Sequence, residues 1–143
     1  EEEAVIRLSR VGFDNVIGIL QGGFKNWIDS GKETDRIETI EASQLEGLDS
    51  PPVFDVRKTG EYTAGHIEFA ESTPLDFINE YLSAFPNKGD FYIHCAGGYR
   101  SVIANSILKK QGIHNGIDVL GGYDEITKTE MPVTDNVCPS TLK

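Results

Sequence analysis

The chain has 143 residues, 38% hydrophobic and 25% charged, with 13 Lys and Arg against 23 Asp and Glu for a formal net charge of −10. That length supports one well-cored domain with some chain to spare, and no apolar run nears the ~20 residues of a membrane-spanning helix. The acidity sets the chain against nucleic acid and anionic lipid surfaces, because its densest basic pair is Lys109-Lys110, so any anion site must make its positive field locally.

Two cysteines, Cys95 and Cys138, are too few for a disulfide framework. His66, His94 and His114 show no ligand spacing with them. The expectation is a reducing, cytoplasmic setting with no metal and no cofactor.

The N-terminus, Glu1-Glu2-Glu3, is neither a secretory signal nor a transit peptide; without an initiator Met the chain reads as a fragment or a processed product. An internal echo follows. Ala4, Leu8 and Gly12-Phe-Asp-Asn-Val-Ile-Gly-Ile-Leu20, then Gly22-Gly23-Phe24, match Ala104, Leu108 and Gly112-Ile-His-Asn-Gly-Ile-Asp-Val-Leu120, then Gly121-Gly122-Tyr123, with Gln21 unmatched. Each copy reads as helix tail, Gly stop, short strand, Gly-Gly turn and helix. The second copy closes a unit that begins near Ile37, whereas the first has nothing before it. Residues 1–34 are therefore expected to be the C-terminal remnant of an upstream domain of the same kind, and Asp29–Asp35 a polar linker. Their apolar side chains are expected to pack on the complete domain or on a neighbouring chain, which makes a homodimer one of the expected partners.

Next come a strand at 37–40, a helix at 42–48, a turn at Ser50-Pro51-Pro52, a buried strand at 53–56 and a short helix from Thr59. A strand at 70–73 leads to Pro74 at a helix N1 position, with Leu75, Ile78, Leu82 and Phe85 on one face of a helix running to 85. A strand ending at His94 delivers Cys95, and a helix is predicted over 101–110. Alternating strands and helices predict an α/β fold with a parallel sheet and helices on both faces, its site at the strand carboxyl ends. Asp55, Arg57 and Cys95 fall at such ends. The tail at 134–143 lacks periodicity and is expected to be extended or disordered.

Cys95-Ala96-Gly97-Gly98-Tyr99-Arg100-Ser101 sets a thiol in a glycine-bearing loop between a strand and a helix N-terminus. Inward amides and the helix dipole can lower a thiol pKa from ~8.5 into the range ~3.5–7.5, so the loop suits an anionic sulfur.

Phe54-Asp-Val-Arg57, Glu61-Tyr62 with Gly65-His66-Ile67, Cys95-x-x-Gly98-x-Arg100-Ser101 and the closing Leu120-Gly-Gly-Tyr123 resemble, in order, the signature segments of the rhodanese (sulfurtransferase) family. The resemblance covers roughly residues 37–133, and the complete domain is placed at 35–133. It implies a rhodanese-like three-layer sandwich. The loop further resembles the last domain of proteins that fuse a metallo-β-lactamase-like persulfide dioxygenase to two rhodanese domains, which implies upstream dioxygenase and rhodanese modules as partners in a longer protein. The chain departs from the family pattern at Phe69, where Gly is frequent, and at Ile126, near where the first copy has Trp27.

The chemistry that this resemblance implies is transfer of a sulfane sulfur. Cys95 takes it from thiosulfate or a persulfide, becomes a persulfide itself, and hands it to a thiophilic acceptor such as cyanide or a thiol. The expected partners are small sulfur-containing anions and thiols. The amides of Ala96 through Arg100 are expected to ring the sulfur, Gly97 and Gly98 to let the backbone curl, and Arg100 to add charge. Asp55 is the candidate for holding Arg100 or the loop, and Arg57 for drawing an anion to the mouth. Glu61 is expected to pair with an Arg or cap its helix, and Ser101 to support the loop. Tyr99 is expected at the rim. His66 is expected to be a buried hydrogen-bonding residue, and His94 to point away from Cys95. Two rivals stand beside this reading. One is a Cys-dependent phosphatase or arsenate reductase, whose loop has one more residue between Cys and Arg. The other is a non-catalytic sulfur-carrier or docking domain.

Overall fold

A computed structural model of the chain describes residues 2–10, 12 and 14–134. The chain divides into two units, residues 1–36 and 37–143. The first carries helices α1 (Glu2–Ser9) and α2 (Gly23–Asp29). The strand expected between them is not formed: residues 14–20 are irregular, with Ile17 94% exposed. A strand needs a neighbour to take up its backbone N–H and C=O groups, and no strand forms among the described residues of this unit.

In the second unit the elements run β1 (Glu38–Ile40), α3 (Ala42–Glu46), β2 (Val53–Asp55), α4 (Thr59–Ala64), β3 (Glu71–Ser72), two 3-10 segments (Leu75–Glu80 and Leu82–Ala84), β4 (Phe91–His94), α5 (Tyr99–Lys110), β5 (Gly116–Val119) and α6 (Gly122–Ile126). The five strands pair in parallel in the order β1-β5-β4-β2-β3. Every parallel link needs a crossover, and the intervening helices supply it on both faces.

Strand alternation decides which face each residue serves. Phe91, Ile93 and Cys95 join Phe54, Ile78, Phe85, Ala104 and Leu108 in one apolar cluster under α5 and the 3-10 segments. On the other face Val53, Val119, Leu45 and Ile126 form a second cluster with Tyr92 packed against it, under α3 and α6. This is the three-layer α/β sandwich, with the Cys95 loop at the carboxyl end of β4.

The single helix predicted from Pro74 to Phe85 is instead two 3-10 segments separated at Tyr81, the first of them kinked within at Phe77, φ −121°. Its apolar positions allow the outcome. Leu75 and Ile78, and then Leu82 and Phe85, are three residues apart, a spacing that stacks directly at three residues per turn. The face is kept while the helix type changes. Beyond α6, Val133 bridges Ile67 and the Thr134 amide donates to the His66 carbonyl at 2.8 Å. The rest of the expected tail, including Cys138, lies outside the described residues.

Candidate active site

Cys95 follows β4 directly, and α5 starts at Tyr99, two residues earlier than expected, so the loop is short. Its carbonyls are taken from outside. The Tyr123 amide donates to the Cys95 carbonyl at 2.7 Å and the Asp124 amide to the Ala96 carbonyl at 3.1 Å, both from the first turn of α6. Peptide groups whose oxygens turn toward α6 leave the following amides turned the other way. Gly98, at φ +98°, completes the curl, and its amide reaches Cys95 Sγ at 3.1 Å. At Gly122, φ +58°, an added Cβ would overlap the Cys95 carbonyl oxygen and stand 2.5 Å from that of Ala96. Only glycine fits there, because both neighbours are backbone. Gly97 meets no such demand: its nearest neighbour to an added Cβ is Asp124 Oδ2 at 3.8 Å.

The sulfur is more enclosed than the sequence suggested, with Cys95 1% exposed. Burial alone raises the thiol pKa. The Ser101 hydroxyl at 3.6 Å and the amides of Ser101, Gly98 and Arg100 outweigh it and bring the thiol below its ordinary value. The ring of donors is therefore shifted along the chain: the amides of Gly98, Arg100 and Ser101 and the Ser101 hydroxyl meet the sulfur, where the amides of Ala96 through Arg100 were expected.

The two arginines part company with expectation. Arg57 is 4% exposed and does not line the mouth. It holds both oxygens of Asp55 at 2.6–3.0 Å, donates to the Gly65 carbonyl at 2.7 Å and lies 3.9 Å over the Tyr123 ring. Asp55 thus clamps Arg57, not Arg100. The pair ties the end of β2 to α6, which braces the loop indirectly, and being matched it avoids a bare buried charge. Arg100 instead makes a bidentate pair with Glu61 at 2.6 and 2.9 Å, beside the loop and half-buried. The Arg100 guanidinium, set against burial, holds the Glu61 carboxyl down to about 2, and Glu61 also accepts from the Lys58 amide at 3.1 Å at the start of α4. Both expectations for Glu61 hold. With each arginine matched by a carboxylate, amides rather than guanidinium charge make most of the local field around the sulfur.

Tyr99 is 81% exposed on the rim. His66 bonds the Tyr62 carbonyl at 2.8 Å and stacks on that ring, a structural role. His94 is fully buried on the sheet face opposite Cys95. Its Nδ1 donates to the Cys95 carbonyl at 3.2 Å, which fixes the tautomer, and Nε2 lies 3.8 Å from Asp55 Oδ2. Burial lowers its pKa, so the ring is neutral near pH 7; its place on the opposite face of the sheet is what keeps it from the thiol. Two residues of the surroundings were missed in the sequence. Tyr123 was read only as part of a turn motif. Asp118 carried one signal, a lone acid within the apolar strand Gly116-Ile-Asp-Val119.

A cysteine cradled by amides at the end of a central parallel strand defines a class of site that favours an anionic sulfur. Within that class the assignment is specific: residues 40–129 match the model of the rhodanese-like domain, and the chain belongs to that family. It is 34% identical over 88 residues to a putative sulfur carrier protein YrkF of Bacillus subtilis, covering 61% of this chain and 48% of that protein. It is 26% identical over 110 residues to the probable adenylyltransferase/sulfurtransferase MoeZ of Mycobacterium tuberculosis, covering 76% of this chain and 24% of the relative. Among solved structures, a rhodanese-like domain protein of Staphylococcus aureus aligns with a TM-score of 0.59 at 30% identity, over 63% of this chain and 91% of that one. The chain thus spans about half or less of the length of these two curated relatives.

Proposed function

We propose that the second unit is a sulfurtransferase module in which Cys95 carries a sulfane sulfur as a persulfide. The Cys95 thiolate attacks the outer sulfur of thiosulfate or of a persulfide donor. A new S–S bond forms, and sulfite or a thiolate leaves with the electron pair of the broken one. A thiophilic acceptor then takes the outer sulfur and Cys95 departs as the thiolate. Splitting the transfer in this way replaces one difficult step by two easier ones. The observation that carries the reading is the set of amides and the Ser101 hydroxyl converging on Cys95 Sγ. These donors serve the thiolate and the persulfide anion alike. Four residues separate Cys95 from Arg100, a tighter ring than one built for a tetrahedral oxyanion. The relatives bearing sulfur-carrier and sulfurtransferase names support the same chemistry.

Residues 1–34 are read as the end of a preceding domain of the same kind in a longer, cytoplasmic protein, and a metallo-β-lactamase-like dioxygenase upstream is part of that proposal. The test is mass spectrometry of the protein after thiosulfate treatment. The expected result is a gain of one sulfur on the Cys95 peptide, absent in Cys95→Ser. Hydrolysis of an aryl phosphate with no sulfur uptake would overturn the assignment.

A further inference from the structure

The parallel ladder ends one residue before Cys95. His94 pairs with Asp55, and its carbonyl accepts from the Val56 amide at 3.0 Å. The Cys95 carbonyl lies past the end of β4 and is held by two donors that do not belong to the ladder. One is the Tyr123 amide at 2.7 Å; the other is the His94 ring, through Nδ1, at 3.2 Å. A carbonyl oxygen has two lone pairs, and both are used. The next carbonyl, that of Ala96, takes the Asp124 amide at 3.1 Å. Two successive peptides of the loop are thus pinned by their oxygens. The freedom that remains lies at Gly97 and Gly98, and the Gly98 amide ends 3.1 Å from Cys95 Sγ.

The His94 ring is set for this contact. It is wholly buried and lies within 20° of the plane of the Tyr123 ring, with 6.1 Å between centroids. The charged groups on its side of the sheet, Asp55 from β2 and Arg57 beyond it, are paired with each other, and Asp55 Oδ2 stands 3.8 Å from Nε2. A carbonyl can only accept, so Nδ1 carries the proton and the neutral ring keeps a lone pair on Nε2. Nε2 has no hydrogen-bond partner among the described residues. A buried ring nitrogen left bare is unfavourable, and an apolar side chain in its place would leave none. What the imidazole offers that an apolar group cannot is the hydrogen bond to the Cys95 carbonyl.

We propose that His94 is a positioning residue for Cys95: its Nδ1–H and the Tyr123 amide together aim the Cys95 peptide, which sets the loop in the curl that brings the Gly98 amide to the sulfur. His94 touches neither the sulfur nor a substrate. It acts through the backbone of the next residue, from the opposite face of the sheet. Without its donor the Cys95 carbonyl rests on the Tyr123 amide alone, the peptide gains freedom to rock, and the Gly98 amide meets Sγ less squarely. The thiolate then loses part of its stabilisation. The inference rests on Cys95 being the reacting sulfur of the proposed function and is independent of which molecule donates sulfur to it.

The test compares two amides in place of the ring. The side-chain nitrogen of Asn can take the place of Nδ1, whereas that of Gln, one carbon further out, reaches the place of Nε2. Thiolate formation is read from the pH dependence of alkylation by iodoacetamide, followed on the Cys95 peptide so that Cys138 does not contribute. His94→Asn is expected to keep the wild-type midpoint. His94→Gln is expected to raise it by about half a unit and to slow alkylation about twofold at a pH below it, since the thiolate is scarcer but more nucleophilic. Chemical denaturation of the same variants separates the two roles. Asn leaves the larger void, so a histidine that served stability alone would make His94→Asn the worse variant in both assays. A wild-type midpoint in His94→Gln, or a midpoint in His94→Asn raised as far as in His94→Gln, overturns the proposal. Should the variants not fold, nitrogen-15 NMR of the wild-type imidazole decides: Nδ1 must carry the proton and its resonance must move as Cys95 ionises. A proton on Nε2, or an Nδ1 resonance that does not respond, overturns the proposal. Alkylation needs no sulfur transfer, so failure to take sulfur from thiosulfate strikes the proposed function and leaves this result standing.

Discussion

The two copies of the internal echo have nearly the same glycine geometry and very different structures. Gly12 and Gly112 sit at φ +90° and +87°, Gly22 and Gly121 at +75° and +71°, Gly23 and Gly122 at +64° and +58°. Between these glycines the copies diverge. Residues 116–119 form β5 between β1 and β4, and Val119 is fully buried; residues 14–20 form no strand, and the matching Ile19 is 61% exposed. Tyr123 packs on Arg57, while the matching Phe24 is 62% exposed. Left-handed turns are local, set by a residue without Cβ. A strand is bought with neighbours, because its backbone groups need partners on adjacent chains.

Matched substitutions in the two copies test this. The largest contrast is expected at the Gly-Gly turn. Gly122→Ala pushes a methyl into two loop carbonyls and is expected to cost about 3 kcal/mol and abolish sulfur loading of Cys95. Gly23→Ala meets nothing within 4 Å and should cost only about 1 kcal/mol, from its φ. Chemical denaturation and the thiosulfate mass shift read both; equal losses would break the comparison. Next in size, Val119→Ala should cost about 2 kcal/mol in the same denaturation assay, against a change within ~0.5 kcal/mol for Ile19→Ala.

The aromatic pair comes third. Tyr123→Leu removes the ring from under Arg57 and should cost about 1 kcal/mol, whereas Phe24→Leu should be near neutral by thermal melting. The smallest contrast is between ion pairs. Glu61→Gln frees Arg100 beside the loop and is expected to cost under ~1 kcal/mol at neutral pH, since the pair is partly solvated. Its effect depends on pH. The folded Glu61 carboxyl is held to about 2 from an ordinary 4.5, so its contribution is present above 4.5 and is lost as pH falls toward 2. Wild type and Glu61→Gln should therefore converge in stability across that window. Glu3→Gln, at an exposed pair with Arg7, should track the wild type throughout.

Much of the site was legible because its chemistry is carried by adjacent residues. Cys95 through Ser101 are contiguous, and the apolar run of β4 fixes which side of the sheet Cys95 serves and that His94 serves the other. The partners of the charged residues were not legible. Nothing in the order Asp55, Arg57, Glu61, Arg100 says that the acid two residues from Arg57 takes it and that Glu61 takes Arg100. Both are questions of which side chain reaches which once β2, α4 and α5 are packed. The helix expected over 74–85 failed for a related reason, since a three-residue apolar spacing serves either helix type and packing chose the tighter one.

The sequence by itself determined the alternation of strands and helices, the left-handed glycine turns and the place of Cys95 at the end of a strand, since these rest on side-chain period and on backbone freedom at single residues. Only the tertiary structure decided that the second copy of the repeat becomes a strand and the first does not, that α6 holds the Cys95 and Ala96 carbonyls, and that Glu61 takes Arg100. Each of those depends on groups distant in the chain meeting at hydrogen-bond range, and no local preference encodes that.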